Sequence, residues 1–422
     1  MNYFHYTNDE LHCEEVSVRR ICDEVGTPAY IYSRKTLERH FKVFQEPFKA
    51  MEHIVCFSVK ACSNLAVLNV FSKLGGGADI VSGGELYRAL RAGIDPNRIV
   101  YSGVGKKASE MDEALGAGIL MFNVESEEEL ELLDARARAL NTRAGVALRV
   151  NPDVDPKTHP YISTGLKKNK FGVDVKRAID IYRKARTLQG LDPMGIDCHI
   201  GSQLTELSPI VEAIGKLGAL MKTLRSEGMD IRYLDVGGGL GISYEREEPP
   251  SPADYGAAIL EKVKSLDVTL ILEPGRVLVG NAGILAARVL FQKAGPERHF
   301  IIVDAAMNDL MRPSLYKAHH GVRRVSGPLD EAPARRITAD IVGPICESGD
   351  FLAQAREMDA VESGDLLALM SAGAYGFSMS SNYNSRPRAP EVLVDGSRYF
   401  VIRSRENYED LVRGESIPVG LL

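Results

Sequence analysis

The stretch Ile54-Val55-Cys56-Phe57-Ser58-Val59-Lys60-Ala61-Cys62-Ser63-Asn64 sets the pattern for the chain. An apolar run with strand character reaches a lysine, turns polar and enters a segment of helical period at 64–74. That is one strand–helix unit, and the unit repeats. Strand candidates stand at 54–59, 78–81, 99–102, 120–124, 146–150, 196–200, 233–236 and 270–272. Helical stretches include 64–74, 84–92, 126–140, 175–188, 207–227 and 252–266. Eight units over about 230 residues match the usual length of a (β/α)8 barrel. The strands read as continuous apolar runs, as when both faces are buried. A doubly wound open sheet is the alternative; regular spacing without a long break favours the closed barrel.

Working outward, the pattern changes after about residue 280. Segments 284–291, 300–303, 336–342, 366–370, 391–394 and 399–403 read as strands separated by Gly, Pro and Asp turns. Short helices are expected at 18–25 and near 305–311. The strand at 29–32 has no partner helix before it and is expected to join the later strands. The predicted fold is therefore α/β plus all-β. A TIM-type barrel covers 34–280, and a C-terminal antiparallel β domain or barrel takes 281–422 together with 1–33. Two connections, 151–172 and 237–252, are long enough to be binding loops.

Composition narrows the function. A net charge of −6 over 422 residues offers no basic field for nucleic acid. No apolar run is long enough to span a bilayer: Thr269-Leu270-Ile271-Leu272 is broken at once by Glu273-Pro274-Gly275-Arg276. The first residues lack a basic region followed by an apolar core, so no signal peptide is read there. The six cysteines contain no C-x-x-C pair, which argues against structural zinc and thioredoxin-like chemistry. They are expected to be reduced thiols in a cytoplasmic protein. Neither an H-x-x-x-H pattern nor clustered carboxylates suggest a metal. His319 and His320 sit in a polar stretch and are expected to face solvent.

In a barrel of this type chemistry is built at the C-terminal ends of the strands. Strand one ends at Lys60, strand two in Asp79-Ile80-Val81-Ser82-Gly83-Gly84-Glu85, and strand six in His199-Ile200-Gly201-Ser202. Strand seven ends in Gly237-Gly238-Gly239 and strand eight in Glu273-Pro274-Gly275-Arg276. Each has a plain reading. Lys60 could snorkel to solvent, or be a desolvated amine able to attack a carbonyl. His199 could be a satisfied core residue, or lie flat on an aromatic cofactor, or act as acid or base. The glycines could form a tight turn needing positive φ, or present bare N–H groups to a phosphate. A rival signal is Gly103-Val104-Gly105-Lys106-Lys107-Ala108 with Glu125 beyond it, which fits a dinucleotide-binding fingerprint but at the third strand rather than the first. Taken together, lysine, glycine turn and acid fit pyridoxal phosphate. This cofactor needs an amine for a Schiff base, donors for its phosphate and an acid beside its ring nitrogen. Lys60, Gly237–Gly239 and Glu273 would supply them.

These residues, with Cys346-Glu347-Ser348-Gly349-Asp350 and Gly373-Ala374-Tyr375-Gly376, give the chain its family likeness. It resembles the alanine-racemase-like barrel group of pyridoxal-phosphate decarboxylases, in its diaminopimelate decarboxylase branch, over nearly its whole length. The resemblance implies that Lys60 carries the cofactor, His199 stacks on its ring and Glu273 pairs with the ring nitrogen. Asp79, Ser202, Gly237, Gly238, Gly239, Gly275 and Arg276 belong to the cofactor-binding set, joined by Tyr375. Arg276, Arg312 and Tyr316 would bind the far carboxylate and neighbouring groups of an amino-acid substrate. Glu347 would take its distal ammonium, and Tyr375 would touch it as well. Cys346 would be the proton donor, reaching the site from the other subunit of a homodimer. In alanine racemases an arginine stands where Glu273 does; a carboxylate favours decarboxylation. Glu347, where ornithine-type relatives carry Asp, implies meso-diaminopimelate as substrate, with ornithine, arginine or carboxynorspermidine as the alternative. Phe57, Ser58 and Cys62 depart from the family's usual Tyr, Ala and Asn around the lysine.

Overall fold

A computed structural model describes residues 2–155, 170–327 and 336–420. The chain divides into two compact units, Leu37–Val279 and Met1–Thr36 with Gly280–Leu422.

The first unit is a closed parallel barrel. Its strands are His53–Ser58, Gly77–Ile80, Ile99–Tyr101, Met121–Val124, Ala144–Asn151, Leu191–Asp197, Tyr233–Asp235 and Thr269–Leu272. Each pairs in parallel with the next, and the last closes on the first through Leu270 opposite His53. Ile54, Cys56, Val100, Met121, Ala147, Met194 and Ile271 pack as one buried apolar cluster. Closure needs small residues where strands crowd: a Cβ on Gly77 would lie 2.0 Å from the Arg98 carbonyl oxygen. An amphipathic helix, Arg34–Gln45, precedes the first barrel strand; it is not among the helical stretches read from the sequence. Three of the helices start on side-chain caps of one kind. Asn64 accepts from Ala66 N–H, Ser82 from Glu85 N–H and Ser126 from Glu129 N–H, which satisfies backbone donors that a helix start leaves open.

In the second unit the strand Ala29–Ser33 lies between Gly283–Ala294, antiparallel, and Glu391–Asp395, parallel. The early strand thus joins the later ones, as its lack of a partner helix suggested. The sheet is mixed, since His299–Val303 also runs parallel to Arg336–Val342. Phe351–Asp359 is a strand that its helix-like composition concealed; pairing with Arg336–Val342 overrides local propensity. Phe4–Thr7, Glu10–Cys13 and Val16–Ser17 form a small separate sheet. The helix Val18–Val25 forms as expected, but the one placed near 305–311 does not. There Asp309 turns its carboxylate onto the Ala306 N–H at 3.0 Å, and helix begins only at Arg312–Tyr316. Pro313 suits that first turn because its missing N–H would have been unpaired anyway.

Among the described residues no helix is long and apolar enough to cross a membrane. Of the 151–172 connection, residues 156–169 lie outside the described residues.

Candidate active site

Lys60 sits on the single turn Val59–Ala61 just past the first barrel strand. Its Nζ is 2.5 Å from Asp79 Oδ2, and its side chain is 37% exposed while that of Asp79 is fully buried. The amine is thus paired and partly open, not desolvated as its place after a buried strand suggested. Ser58 Oγ steadies Asp79 from behind, donating to the same Oδ2 at 2.9 Å. The hydroxyl also lies 3.0 Å from the Glu273 carbonyl oxygen, stitching strands one, two and eight together.

Glu273 lies at the bottom of the mouth, buried. Its Oε1 accepts from Ser102 Oγ at 3.3 Å and from Asn123 Nδ2 at 3.4 Å. Asn123 also reaches Asp235 Oδ2 at 3.3 Å. Oxygens of Asp197, Asp235 and Glu273 lie within 4.8 Å of one another, a carboxylate cluster that the spacing in the sequence did not announce. Burial first, then Asp235, Asp79 and Asp197, pushes the Glu273 carboxyl well above the usual range; Lys60 pulls the other way. Asp235 is pushed up to about 6, chiefly by burial, and Asp197 rises by burial and the Asp235 charge. Such a cluster holds protons that separate carboxylates would have lost. Glu85, at the end of strand two, rises to about 7 by burial, against the pull of Lys60.

His199 and the glycine turn form one unit. Gly238 N–H donates to His199 Nδ1 at 3.2 Å. Burial, and then the Arg149 and Lys60 cations, drives the imidazole pKa well below its ordinary value. The ring is therefore neutral, with Nδ1 accepting and Nε2 carrying the hydrogen. Gly237 N–H is engaged too, by Asp235 Oδ1 at 2.9 Å. The sequence expectation of three bare N–H groups is thus corrected: two are used inside the barrel, and the Gly239 end is the part that can face an anion. The glycines are required by close approach. A Cβ on Gly238 would lie 2.1 Å from the Glu273 carbonyl oxygen, and one on Gly239, at φ +110°, 2.4 Å from that of Gly201.

At the same end Arg276 is buried and donates from Nη2 to Ser202 Oγ at 3.0 Å and from Nη1 to Tyr244 Oη at 2.8 Å. Tyr244, on the long 237–252 connection, escaped the sequence reading. So did Ser102, Asn123 and Arg149. Their common signal was a polar residue in or just after an otherwise apolar barrel strand. The rival glycine signal dissolves. Glu125, which a dinucleotide site would turn to a ribose, accepts instead from Gly103 N–H at 3.1 Å and Arg149 Nη1 at 3.0 Å. Lys106 is buried on Glu129 and the Gly103 and Asn123 carbonyls.

Candidates in the second unit are placed as follows. Arg312 is buried at the start of its short helix and donates from Nη1 to His320 Nε2 at 2.9 Å, while His320 Nδ1 meets the Met370 carbonyl at 2.8 Å. His320 is therefore buried, not solvent-facing, because the short helix and the backbone just past the strand Leu366–Leu369 hold it. Tyr316 ends that helix, half-buried. Cys346 and Glu347 are exposed on a turn; the other five cysteines are buried. Tyr375 adopts φ +55°, a conformation uncommon for an aromatic residue.

The residues of the barrel mouth fit pyridoxal phosphate: an accessible amine, a neutral flat imidazole, a proton-holding carboxyl, and an arginine with a serine beside the glycine turn. Comparison with known proteins agrees. Residues 34–280 match the pyridoxal-binding domain of the pyridoxal-dependent decarboxylases. The chain is 52% identical over 417 residues to the diaminopimelate decarboxylase of Pseudomonas aeruginosa, covering 99% of each chain. It superposes with a TM-score of 0.94 on the diaminopimelate decarboxylase of M. jannaschii in complex with L-lysine, at 38% identity and 99% coverage of both chains. For the Helicobacter pylori enzyme with L-lysine the TM-score is 0.89 at 44% identity, over 94% of this chain and 98% of that one.

Proposed function

The chain belongs to the pyridoxal-dependent decarboxylase family, and we propose that it decarboxylates meso-2,6-diaminopimelate to L-lysine and carbon dioxide, the last step of lysine formation. The observation that supports this most is the joint presence, at one barrel mouth, of the Lys60–Asp79 pair, the neutral His199 and the buried Glu273.

Pyridoxal phosphate, when bound, supplies an electron sink for the carbanion left as carbon dioxide departs. The chain's residues do the rest. Lys60 offers the amine for covalent attachment, and Asp79 holds that amine in one place. Glu273 keeps a proton at its carboxyl, where a ring nitrogen can share it; Ser102 and Asn123 fix its direction. His199 presents a flat, uncharged face, its rotation set by the Gly238 N–H. Gly239, Ser202 and the backbone at Gly275-Arg276 hold the phosphate. Arg276 and Arg312 are suited to a carboxylate by their planar forks, and Tyr316 and Tyr375 complete the substrate contacts. Glu347 pairs with the distal ammonium, and the Cys346 thiol donates the proton that replaces the lost carboxyl. The working form is a homodimer in which Cys346 and Glu347 serve the partner's site. Their exposure in one chain supports that reading.

The test is carbon dioxide release from a panel of amino acids by the purified protein with added pyridoxal phosphate. Diaminopimelate should be consumed far faster than ornithine or arginine. Turnover of ornithine with diaminopimelate ignored would remove the role given to Glu347.

A further inference from the structure

Two consecutive residues grip two consecutive residues in the second unit. The Tyr383 hydroxyl donates to Glu347 Oε2 at 2.7 Å. Asn384 Oδ1 accepts the Cys346 backbone N–H at 2.8 Å. We propose that Tyr383 and Asn384 are positioning residues: Tyr383 aims the Glu347 carboxylate for selection of the distal ammonium, and Asn384 aims the Cys346 thiol for delivery of the proton. The proposal rests on the function proposed above and deepens it.

The turn that carries Cys346 is fastened unevenly. Its base is held from within: buried Asp350 accepts the Ile345 N–H at 2.8 Å and the Met307 N–H at 2.7 Å, and Ser314 Oγ donates to the Gly349 carbonyl at 2.6 Å. Its tip, 346–348, is exposed, and burial does not restrain the side chains there. The Tyr383 and Asn384 bonds reach the tip from outside the turn, and the segment that makes them is itself anchored. Ser381 N–H donates to the Asn308 carbonyl at 2.9 Å, and Asn382 Nδ2 to Glu406 Oε2 at 2.7 Å. Asn384 holds φ 54° and ψ 29°, a left-handed conformation that Asn tolerates better than most side chains. That conformation places its amide against the Cys346 N–H. The Tyr383 hydroxyl engages Glu347 Oε2 and leaves the second oxygen, Oε1, for an ammonium. The same contact raises the Tyr383 pKa, so the phenol stays a donor.

Three variants test this in the enzyme loaded with pyridoxal phosphate. Tyr383→Phe keeps the ring and removes the donor; KM for diaminopimelate should rise about fivefold or more with kcat within about twofold. Asn384→Gly keeps the left-handed backbone and removes the acceptor; kcat should fall, and iodoacetamide should label Cys346 about threefold faster or more. Labelling reads this thiol because the other five are buried. Asn384→Asp restores an acceptor and should return both readouts toward the wild type. An unchanged KM in Tyr383→Phe, or an unchanged labelling rate in Asn384→Gly, overturns the proposal. If the wild type ignores diaminopimelate while Cys346 labelling still responds to Asn384→Gly, the substrate assignment fails and the grip on Cys346 stands.

Discussion

The barrel mouth and the Cys346–Glu347 turn, which the proposed function assigns to one reaction, are built on opposite principles. In the mouth, Asp79, Asn123, Asp235 and Glu273 are buried, and each is hydrogen-bonded to a neighbour in the same barrel. Burial makes these groups rigid and shifts their protonation, which is what a site that must hold charge without reorganising requires. On the turn, Cys346 and Glu347 are exposed and tethered by hydrogen bonds from a neighbouring loop. Such bonds compete with water and constrain weakly. The mouth can be preorganised by one chain alone, whereas the turn needs a covering surface before it can discriminate. The proposed dimer would supply one.

The largest effect should come from the mouth. Lys60→Ala removes the amine and leaves buried Asp79 without this cation. The purified protein should lose its visible cofactor absorbance, and turnover should fall by at least about 10⁴-fold. A variant that stays yellow and active would show that the paired lysine is structural.

Next in size is the turn. Cys346→Ala should lower kcat about 10²- to 10⁴-fold, the range for losing a positioned proton donor, while the visible absorbance of the bound cofactor stays. Since Cys346 is exposed, the folded stability should hardly change. Loss of cofactor binding in this variant would break the contrast between the two regions.

A third test asks how tightly the mouth is packed. Gly238→Ala places a methyl 2.1 Å from a backbone oxygen that cannot swing aside. It should cost about 1–3 kcal/mol in urea unfolding, and cofactor affinity should drop with it, because Gly238 N–H orients His199. A variant with full stability would mean that the glycine turn is looser than its contacts indicate.

The barrel was legible because strand–helix alternation is a local signal that repeats, and Lys60, His199 and Glu273 were legible because that signal locates strand ends. What stayed hidden depends on distant partners. Asn123 lies 150 positions from Glu273 and 112 from Asp235, so no spacing rule connects them. His320 looked polar and exposed until Arg312 and the Met370 carbonyl closed around it. Phe351–Asp359 is a strand only because Arg336–Val342 lies beside it. The roles of Gly237 and Gly238 were half read: the turn was correct, but its first two N–H groups serve Asp235 and His199.

The smallest effect sharpens the comparison most directly, because it concerns protons that only the buried region can store. In the folded, cofactor-free protein Asp235 titrates at about 6, against 3.8 for an unperturbed Asp. Between those values the folded state keeps a proton that the unfolded chain has released. Stability therefore falls as pH rises through that window, by up to about 1.4 kcal/mol per unit for each such group. Glu273 and Asp197 act in the same sense. His199, whose pKa is depressed, acts oppositely and costs stability as pH falls below 6.5. A single pH curve would blend the two, so the informative quantity is the difference between wild type and Asp235→Asn. Removing the Asp235 charge also eases ionisation of Glu273 and Asp197. Urea midpoints from pH 4.5 to 7 should therefore show the variant gaining on the wild type as pH rises, by more than one group's share. A gain of one group's share alone would mean that the carboxylates titrate independently, and parallel curves would mean that Asp235 holds its proton no better than an unperturbed Asp.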